Sequence, residues 1–228
     1  MTWPAWAGRS LTDAFVFAAP AMFVFLWASG FIGGKLGLPY AEPMTFLAVR
    51  MFVVVLILGG IVVLTRPMQP ARMDVVHAAI TGFFVLGCHL GGVFVAIDHK
   101  LPAGFAALVV SLQPILTSML ANFLLGERVT PRQWTGLVLG AAGVYLVVRG
   151  HTEGSAPPLA WAAATVALFG MTIGTLYQKR FGGGIELRTG LLVQYIAVTL
   201  LFGVLALAFE NRHIEWTVPF LIAITWLV

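Results

Sequence analysis

Charged side chains are scarce in this sequence: they make up 10% of the 228 residues, whereas hydrophobic residues make up 60%. A soluble domain usually carries about a quarter charged residues, because water must wet its surface. A chain with so few charges cannot cover a globule with polar side chains, so we expect lipid to solvate it. The composition therefore predicts a membrane protein and argues against an ordinary soluble domain.

Cysteine is almost absent, since Cys88 is the only one and lies within an apolar run. It can form no internal disulfide and has no partner for a metal site. The basic residues outnumber the acidic ones, 13 to 9, but they stand singly at the ends of apolar runs and form no cluster of the kind that holds phosphates. We therefore predict no metal, no cofactor and no nucleic-acid partner, and interpret the basic residues as topology signals.

Apolar stretches of about 20 residues, long enough to cross a bilayer as helices, follow one another along the chain. The short polar connections between them leave no room for a soluble domain. This pattern predicts an all-α, polytopic membrane helix bundle. The predicted spans are 15–33, 44–65, 75–97, 102–125, 134–148, 159–178, 190–209 and an incomplete one from 218.

Basic residues are distributed unequally between the two ends of these spans. With the N-terminus inside, the cytoplasmic segments hold eight of them: Arg9, Arg66, Arg72, Arg128, Arg132, Lys179, Arg180 and Arg188. The opposite side holds four: Lys35, Lys100, Arg149 and Arg212. The positive-inside rule then predicts a multi-pass protein of the cell (inner) membrane with a cytoplasmic N-terminus.

A shift of 144 residues superimposes the sequence on itself without a gap. Besides apolar identities, it pairs the polar residues Lys35 with Lys179, Glu42 with Glu186 and Thr45 with Thr189. Five spans lie between corresponding points, so the second copy would enter the membrane upside down, as in many secondary transporters. We predict a first repeat over 1–149 and a second, inverted repeat over 150–228.

The repeat also predicts a length. The counterpart of the first copy's end falls near residue 293, roughly, whereas Val228 lies part-way through the counterpart of the third span. The expected fold is therefore an inverted five-plus-five repeat of which only about seven and a half of ten spans are present.

Several segments together resemble EamA-type transporters of the drug/metabolite transporter superfamily. They are WASGFIGGKLG at 27–37, TFLAVR at 45–50, QPILTSMLA at 113–121, LGERVT at 125–130, QWTG at 133–136 and GAAG at 140–143. The resemblance covers the first repeat almost completely and the second through about two and a half helices. It implies a ten-helix inverted fold that exports small metabolites such as amino acids or drugs. It also implies that helices one, three, four, six, eight and nine line a central cavity.

Arg50 is the one plainly intramembrane cation in the sequence. Its burial is costly unless it is paired or reaches water, which makes it a candidate for a functional or gating role. Its repeat counterpart is the neutral Gln194. The preferred alternative is structural: Arg50 snorkels to the interface or orders the packing, because helix two of the family supports the cavity rather than lining it.

Other candidate substrate contacts carry equally plain structural alternatives. Gln113 precedes Pro114, which frees an upstream carbonyl for a ligand or simply kinks the helix, and Ser111 lies beside them. His89 could relay protons, but a neutral residue that bonds between helices is favoured. Trp27, Tyr177 and Gln178 would contact substrate on helices one and six, or anchor those helices at the interface.

Three further residues read as structural or gating elements. Glu127 resembles a family position, although a local salt bridge with Arg128 is the simpler explanation. Gly136 and Gly140 form a small-residue face that lets helices approach closely and leaves a homodimer face open as an alternative.

Three classes of function follow. The leading hypothesis is a transporter that moves small amphiphilic metabolites by alternating access, since the expected lining is mostly apolar and no ion site is evident. A membrane enzyme is disfavoured, because the sequence has no His-Glu-x-x-His motif and its Asp residues lie at span ends or in loops. The third is a truncated, inactive or accessory membrane protein.

Overall fold

The computed structural model describes residues 11–67, 70–126, 130–149 and 156–228, and nearly all of them are helical. The helices of the first part are α1 (Leu11–Gly37), α2 (Pro43–Thr65), α3 (Arg72–Gly82), α4 (His89–Asp98), α5 (Ala103–Val110), α6 (Gln113–Leu125) and α7 (Pro131–Arg149). The second part contains α8 (Pro158–Phe181), α9 (Leu187–Phe209) and α10 (Val218–Leu227). In these ranges the only bridge between extended segments joins Ala41 to Ile214. The predicted all-α fold is confirmed.

A helix occupies the position of every predicted span, and spans three and four are each built from two helices. Six stretches are long and apolar enough to cross a bilayer: Val16–Tyr40, Pro43–Thr65, Arg72–Asp98, Ala103–Leu124, Pro158–Gly184 and Leu187–Phe209. At the predicted fifth span, α7 is not among them, because Arg132, Gln133 and Thr135 occupy its first turns and shorten its apolar stretch. At the predicted eighth span, α10 is apolar but shorter.

Large apolar side chains cover the outside of the bundle. Leu64, Phe123 and Phe17 each expose more than 80% of their surface (84%, 82% and 81%). Exposure on this scale would be costly in water, because each square ångström of apolar surface removed from water contributes about 25 cal/mol. Lipid tails solvate the same side chains without that cost, so the bundle is built for a bilayer.

Aromatic rings hold the centre of the bundle together. Phe46 on α2 is fully buried, and its ring centroid lies 5.3 Å from that of Phe94 on α4 and 5.3 Å from that of Phe220 on α10. Tilted ring pairs at this spacing are favourable beyond the apolar area that they bury. Three helices that are distant in sequence therefore meet at one side chain.

Glycine permits close contact between α4 and α8. A Cβ atom at Gly92 on α4 would lie 2.5 Å from the carbonyl oxygen of Ala163 on α8, so only glycine fits there. Gly87 in the turn before α4 and Gly91 on α4 lie against Leu201 and Phe202 of α9. Small residues at such contacts let helix backbones approach each other in a membrane.

Helix bounds recur with the shift of 144 residues that superimposes the sequence on itself. The shift maps the 3₁₀ turn Leu38–Tyr40 onto Gly182–Gly184, and α2 onto α9. α2 packs against α9, α1 against α10 and α3 against α8. The shift relates α1 to α8 and α3 to α10, so the α1–α10 contact and the α8–α3 contact are equivalent. This equivalence is expected of helices arranged around a pseudo-two-fold axis.

Candidate functional site

A cavity of about 410 Å³ lies between α1, α2, α4 and α10. Most of its wall is aromatic or aliphatic, and the side chains of Arg50 and His89 also line it. We call it the Arg50 cavity. Its volume lies within the range of small-molecule sites, which are typically about 300–1,000 Å³. Its wall includes Trp27, Phe31, Arg50, His89, Phe94 and Leu227.

Arg50 lies two turns into α2 and is half-buried. Its Nε donates a hydrogen bond of 2.9 Å to the carbonyl oxygen of Leu227, in the last turn of α10. A carbonyl oxygen carries partial negative charge and accepts the N–H of the guanidinium. The contact joins helices that are 177 residues apart in sequence, so Arg50 orders packing and lines the cavity at once.

His89 is buried at the start of α4, with 5% of its surface exposed. Its Nδ1 lies 3.3 Å from the carbonyl oxygen of Ala167 on α8. A carbonyl can only accept, so this contact places the ring proton on Nδ1 and leaves Nε2 as an acceptor in the neutral ring. His89 therefore links spans three and six, as expected of a hydrogen-bonding histidine between helices.

A π-helical turn over Phe83–Cys88 places His89. The N–H of His89 bonds to the carbonyl of Phe84, five residues back, rather than four. The widened turn faces Gly170 and Gly174 of α8, where a Cβ would lie 2.5 Å from Cys88 and Val85 respectively. Single π turns inside α-helices often mark functional sites, because the extra residue rotates the side chains that follow it.

Trp27 faces the same cavity from α1. It is half-buried, and its ring meets that of Phe31 edge to face at a centroid distance of 5.3 Å. Of the predicted substrate contacts, Trp27 and His89 thus meet around one cavity. Arg50, predicted as a gating or structural residue, joins them there.

The predicted contacts of span four lie elsewhere. The span breaks at Ser111–Leu112, because Pro114 has no N–H for the carbonyl of Val110, where α5 ends. Gln113 Nε2 donates to Thr117 Oγ1 at 2.9 Å and to Thr175 Oγ1 of α8 at 3.4 Å. The Arg50 cavity is not lined by Ser111, Gln113 or Pro114. Contact of these residues with substrate therefore stays a prediction.

Tyr177 and Gln178 lie at the last turns of α8. The Tyr177 hydroxyl is 2.7 Å from His77 Nδ1, and the His77 ring stacks on Phe181 at a centroid distance of 5.0 Å. Gln178 is exposed. Sequence reasoning missed His77, because nothing in the spacing links it to a tyrosine 100 residues away. These residues fasten α3 to α8, apart from the Arg50 cavity.

The remaining predicted residues have no described contact with a cavity. Glu127 and its proposed partner Arg128 lie outside the described residues. At Gly136 and Gly140, nothing in the described ranges lies within 4 Å of where a Cβ would stand. Their role in packing, within the chain or in a homodimer, therefore stays a prediction.

A larger cavity, about 600 Å³, lies at the ends of the helices. It is lined by the turn after α1 and by the connection from α9 to α10, including Tyr40, Glu42, Glu210 and His213, and by Asp98 at the end of α4. Several of these residues belong to exposed connections. We therefore take the Arg50 cavity, between the helices themselves, as the candidate site.

Lipid-facing helices around an internal cavity define a multi-pass α-helical membrane protein. The model of the EamA-like transporter family matches residues 15–149. This is more than half of the chain, and the chain belongs to that family.

Relatives of known name agree with this assignment. The "Probable amino-acid metabolite efflux pump" of Escherichia coli (strain K12) is 26% identical over 160 residues, which are 70% of this chain and 52% of that protein. The "Uncharacterized inner membrane transporter YedA" of the same strain is 25% identical, over 72% and 53%. The chain thus spans about half the length of these two relatives. The "Uncharacterized transporter YvbV" of Bacillus subtilis (strain 168) is 24% identical, over 91% and 72%.

A solved crystal structure shares the fold. It superposes with a TM-score of 0.67 at 22% sequence identity and covers 96% of this chain and 74% of that one. At this identity the likeness concerns the arrangement of helices alone.

Proposed function

We propose that this protein is a transporter of the inner membrane that exports small amphiphilic metabolites, such as amino acids, through the Arg50 cavity. Membership of the EamA-like transporter family supports transport as the activity. The name of the Escherichia coli relative, an amino-acid metabolite efflux pump, supports both the substrate class and the direction.

One observation carries the proposal: the cavity lies where helices from the two proposed repeats, 1–149 and 150–228, meet. α1, α2 and α4 form one side, and α10 of the second repeat forms the other. In transporters built from inverted repeats, the substrate site lies at this junction, and rocking of one repeat against the other exposes it to each side in turn. The distribution of basic residues supports a cytoplasmic N-terminus.

Solute counterflow tests the proposal. The complete protein is reconstituted in liposomes loaded with an unlabelled amino-acid mixture, and uptake of labelled amino acids is measured against protein-free liposomes. We expect transient accumulation of at least one amphiphilic amino acid. Folded protein that produces no counterflow with any of a broad panel of amino acids and amphiphilic drugs would contradict transport.

A matched pair of variants tests the cavity. Trp27→Leu changes a side chain that lines it, whereas Phe25→Leu changes one that is 65% exposed on the same helix. We expect counterflow to fall several-fold in Trp27→Leu and to be unchanged in Phe25→Leu. Equal flux in both variants would place the substrate path elsewhere.

A further inference from the structure

We infer that the Arg50 cavity binds a carboxylate, so that the transported metabolite carries a small anionic group held by Arg50 next to an apolar part. That the bound metabolite is transported rests on the proposed function, but the binding of a carboxylate does not. The sequence alone predicts no ion site, whereas the surroundings of Arg50 indicate one.

The guanidinium of Arg50 has donors to spare. Arginine has five N–H donors, and the hydrogen bond described for Arg50 uses Nε. Every fully buried side-chain nitrogen or oxygen in the described residues has a hydrogen-bond partner. The two terminal nitrogens of Arg50, for which the described residues supply none, are therefore not fully enclosed. Arg50 also lines the cavity, so the cavity is the space that we assign to these nitrogens.

No anion of the described chain neutralises this cation. The ion pairs described there involve Asp98 and Glu186, not Arg50. Along α2 the closest acidic residue is Glu42, eight residues away, or about 12 Å along the helix axis. A cation held at membrane depth without an anion is costly, and the partial charge of the Leu227 carbonyl offsets that cost only in part.

The geometry of the site selects the anion. A guanidinium presents parallel N–H groups that match the two oxygens of a carboxylate. Trp27, Phe31 and Phe94 supply the apolar surface around it. Within about 410 Å³, such a site accommodates a small amphiphilic acid with its carboxylate at Arg50 and its apolar part against the rings.

Binding of matched acids and amides tests the inference without transport. The probes are 3-phenylpropionate and its neutral amide, 3-phenylpropanamide, titrated into the complete purified protein in nanodiscs by tryptophan fluorescence. We expect the acid to bind at least 10-fold more tightly than the amide. In Arg50→Gln that ratio should fall to about one, and Arg50→Lys should retain part of it. Arg72→Gln, which removes an exposed cation at the start of α3, should leave the ratio unchanged.

Each other result overturns the inference. Equal affinity of acid and amide in the unmodified protein, or an unchanged ratio in folded Arg50→Gln, would mean that Arg50 serves packing alone. If Arg50→Gln does not fold, the first comparison and the Arg50→Lys variant still decide. If laurate displaces the probe and no short amphiphilic acid does, the bound anion is a lipid. This result would overturn the inference that the site binds a small metabolite.

The outcome is separable from that of the proposed function. Counterflow of neutral and acidic solutes at equal rates would support transport but contradict a carboxylate site. An acid preference that depends on Arg50 without any counterflow would leave the carboxylate site without transport.

Discussion

Glu210, at the end of α9, caps the beginning of α2 through Thr45. One carboxylate oxygen accepts hydrogen bonds of 2.7 Å from both the backbone N–H and the hydroxyl of Thr45, and the other accepts one of 2.7 Å from the N–H of Met44. The first N–H groups of a helix have no partner within it, so an acceptor there is stabilising. The cap comes from a residue 165 positions away and fastens α2 to the α9–α10 connection.

The beginning of α9, the equivalent position in the proposed second repeat, is capped differently. Glu186 accepts from the N–H groups of Arg188 and Thr189 in its own helix, at 3.0 and 3.1 Å. Glu42, its counterpart, makes no such bond and instead accepts from the N–H of Arg212 at 3.1 Å. The two proposed repeats thus share a sequence signal, but Glu186 uses it within its own helix, whereas Glu42 contacts the α9–α10 connection.

Removing the carboxylate charge at Glu210 should destabilise the fold. We expect Glu210→Gln to lose one charge-assisted acceptor and to cost about 1–2 kcal/mol, the range of a lost helix cap. The measurement is the midpoint of thermal unfolding in detergent. Glu215→Gln is the matched control, since this exposed side chain lies on the same connection. An equal midpoint for both variants would mean that the cap contributes no stability.

The Glu210 cap also shows where sequence reasoning stops. The identity of Glu42 with Glu186 and of Thr45 with Thr189 was visible, because identical cap residues recur at a fixed shift. The sequence does not show that Glu210, and not Glu42, caps α2, because this depends on how two connections meet in space. Helix bounds follow from local signals such as Pro114, which ends α5 at Val110 by withholding one N–H.

The candidate site shows the same limit. Arg50 and His89 stood out as polar residues within apolar runs, which is a local property. Their meeting with Trp27 depends on the rotation of each helix about its axis, and the π-helical turn over Phe83–Cys88 changes that rotation for His89. A helix that faces lipid on one side and protein on the other is apolar on both sides. Its sequence therefore shows little hydrophobic periodicity from which the rotation of the helix could be predicted.

Gly92 should tolerate no side chain. A Cβ there would meet the Ala163 carbonyl at 2.5 Å and the Ala167 N–H nitrogen at 2.9 Å, and backbone atoms cannot easily move aside. We expect Gly92→Ala to cost about 1–3 kcal/mol through overpacking. Gly59→Ala on α2, where nothing lies within 4 Å, should be neutral or slightly stabilising. The comparison uses thermal unfolding of both variants in the same detergent, and a stable Gly92→Ala would rule out close packing of α4 on α8.

Gln113 should matter for transport more than for folding. Gln113→Ala removes its hydrogen bonds to Thr117 and Thr175, which in membranes are worth about 0.6 kcal/mol each. If the break in span four serves the substrate path, counterflow should fall several-fold while the unfolding midpoint changes little. Asn122→Ala, which changes an exposed amide on the same helix, is the control. Full flux in a well-folded Gln113→Ala protein would remove this residue from the site.

The proposed orientation can be tested with single cysteines, because Cys88 is the only native one. In a Cys88→Ala background, Asn211→Cys lies in the α9–α10 connection and Gly183→Cys lies in the α8–α9 turn, at opposite ends of α9. Both positions are exposed, and nothing lies within 4 Å of a Cβ at Gly183. With the N-terminus in the cytoplasm, a membrane-impermeant maleimide should label Asn211→Cys in intact cells and Gly183→Cys only after permeabilisation. The Cys88→Ala parent should stay unlabelled under both conditions, which shows that the signal comes from the introduced thiols. Labelling of Gly183→Cys alone in intact cells would mean that the topology is the reverse of the one proposed. It would then assign the larger number of basic residues to the outer side, against the rule on which the orientation rests.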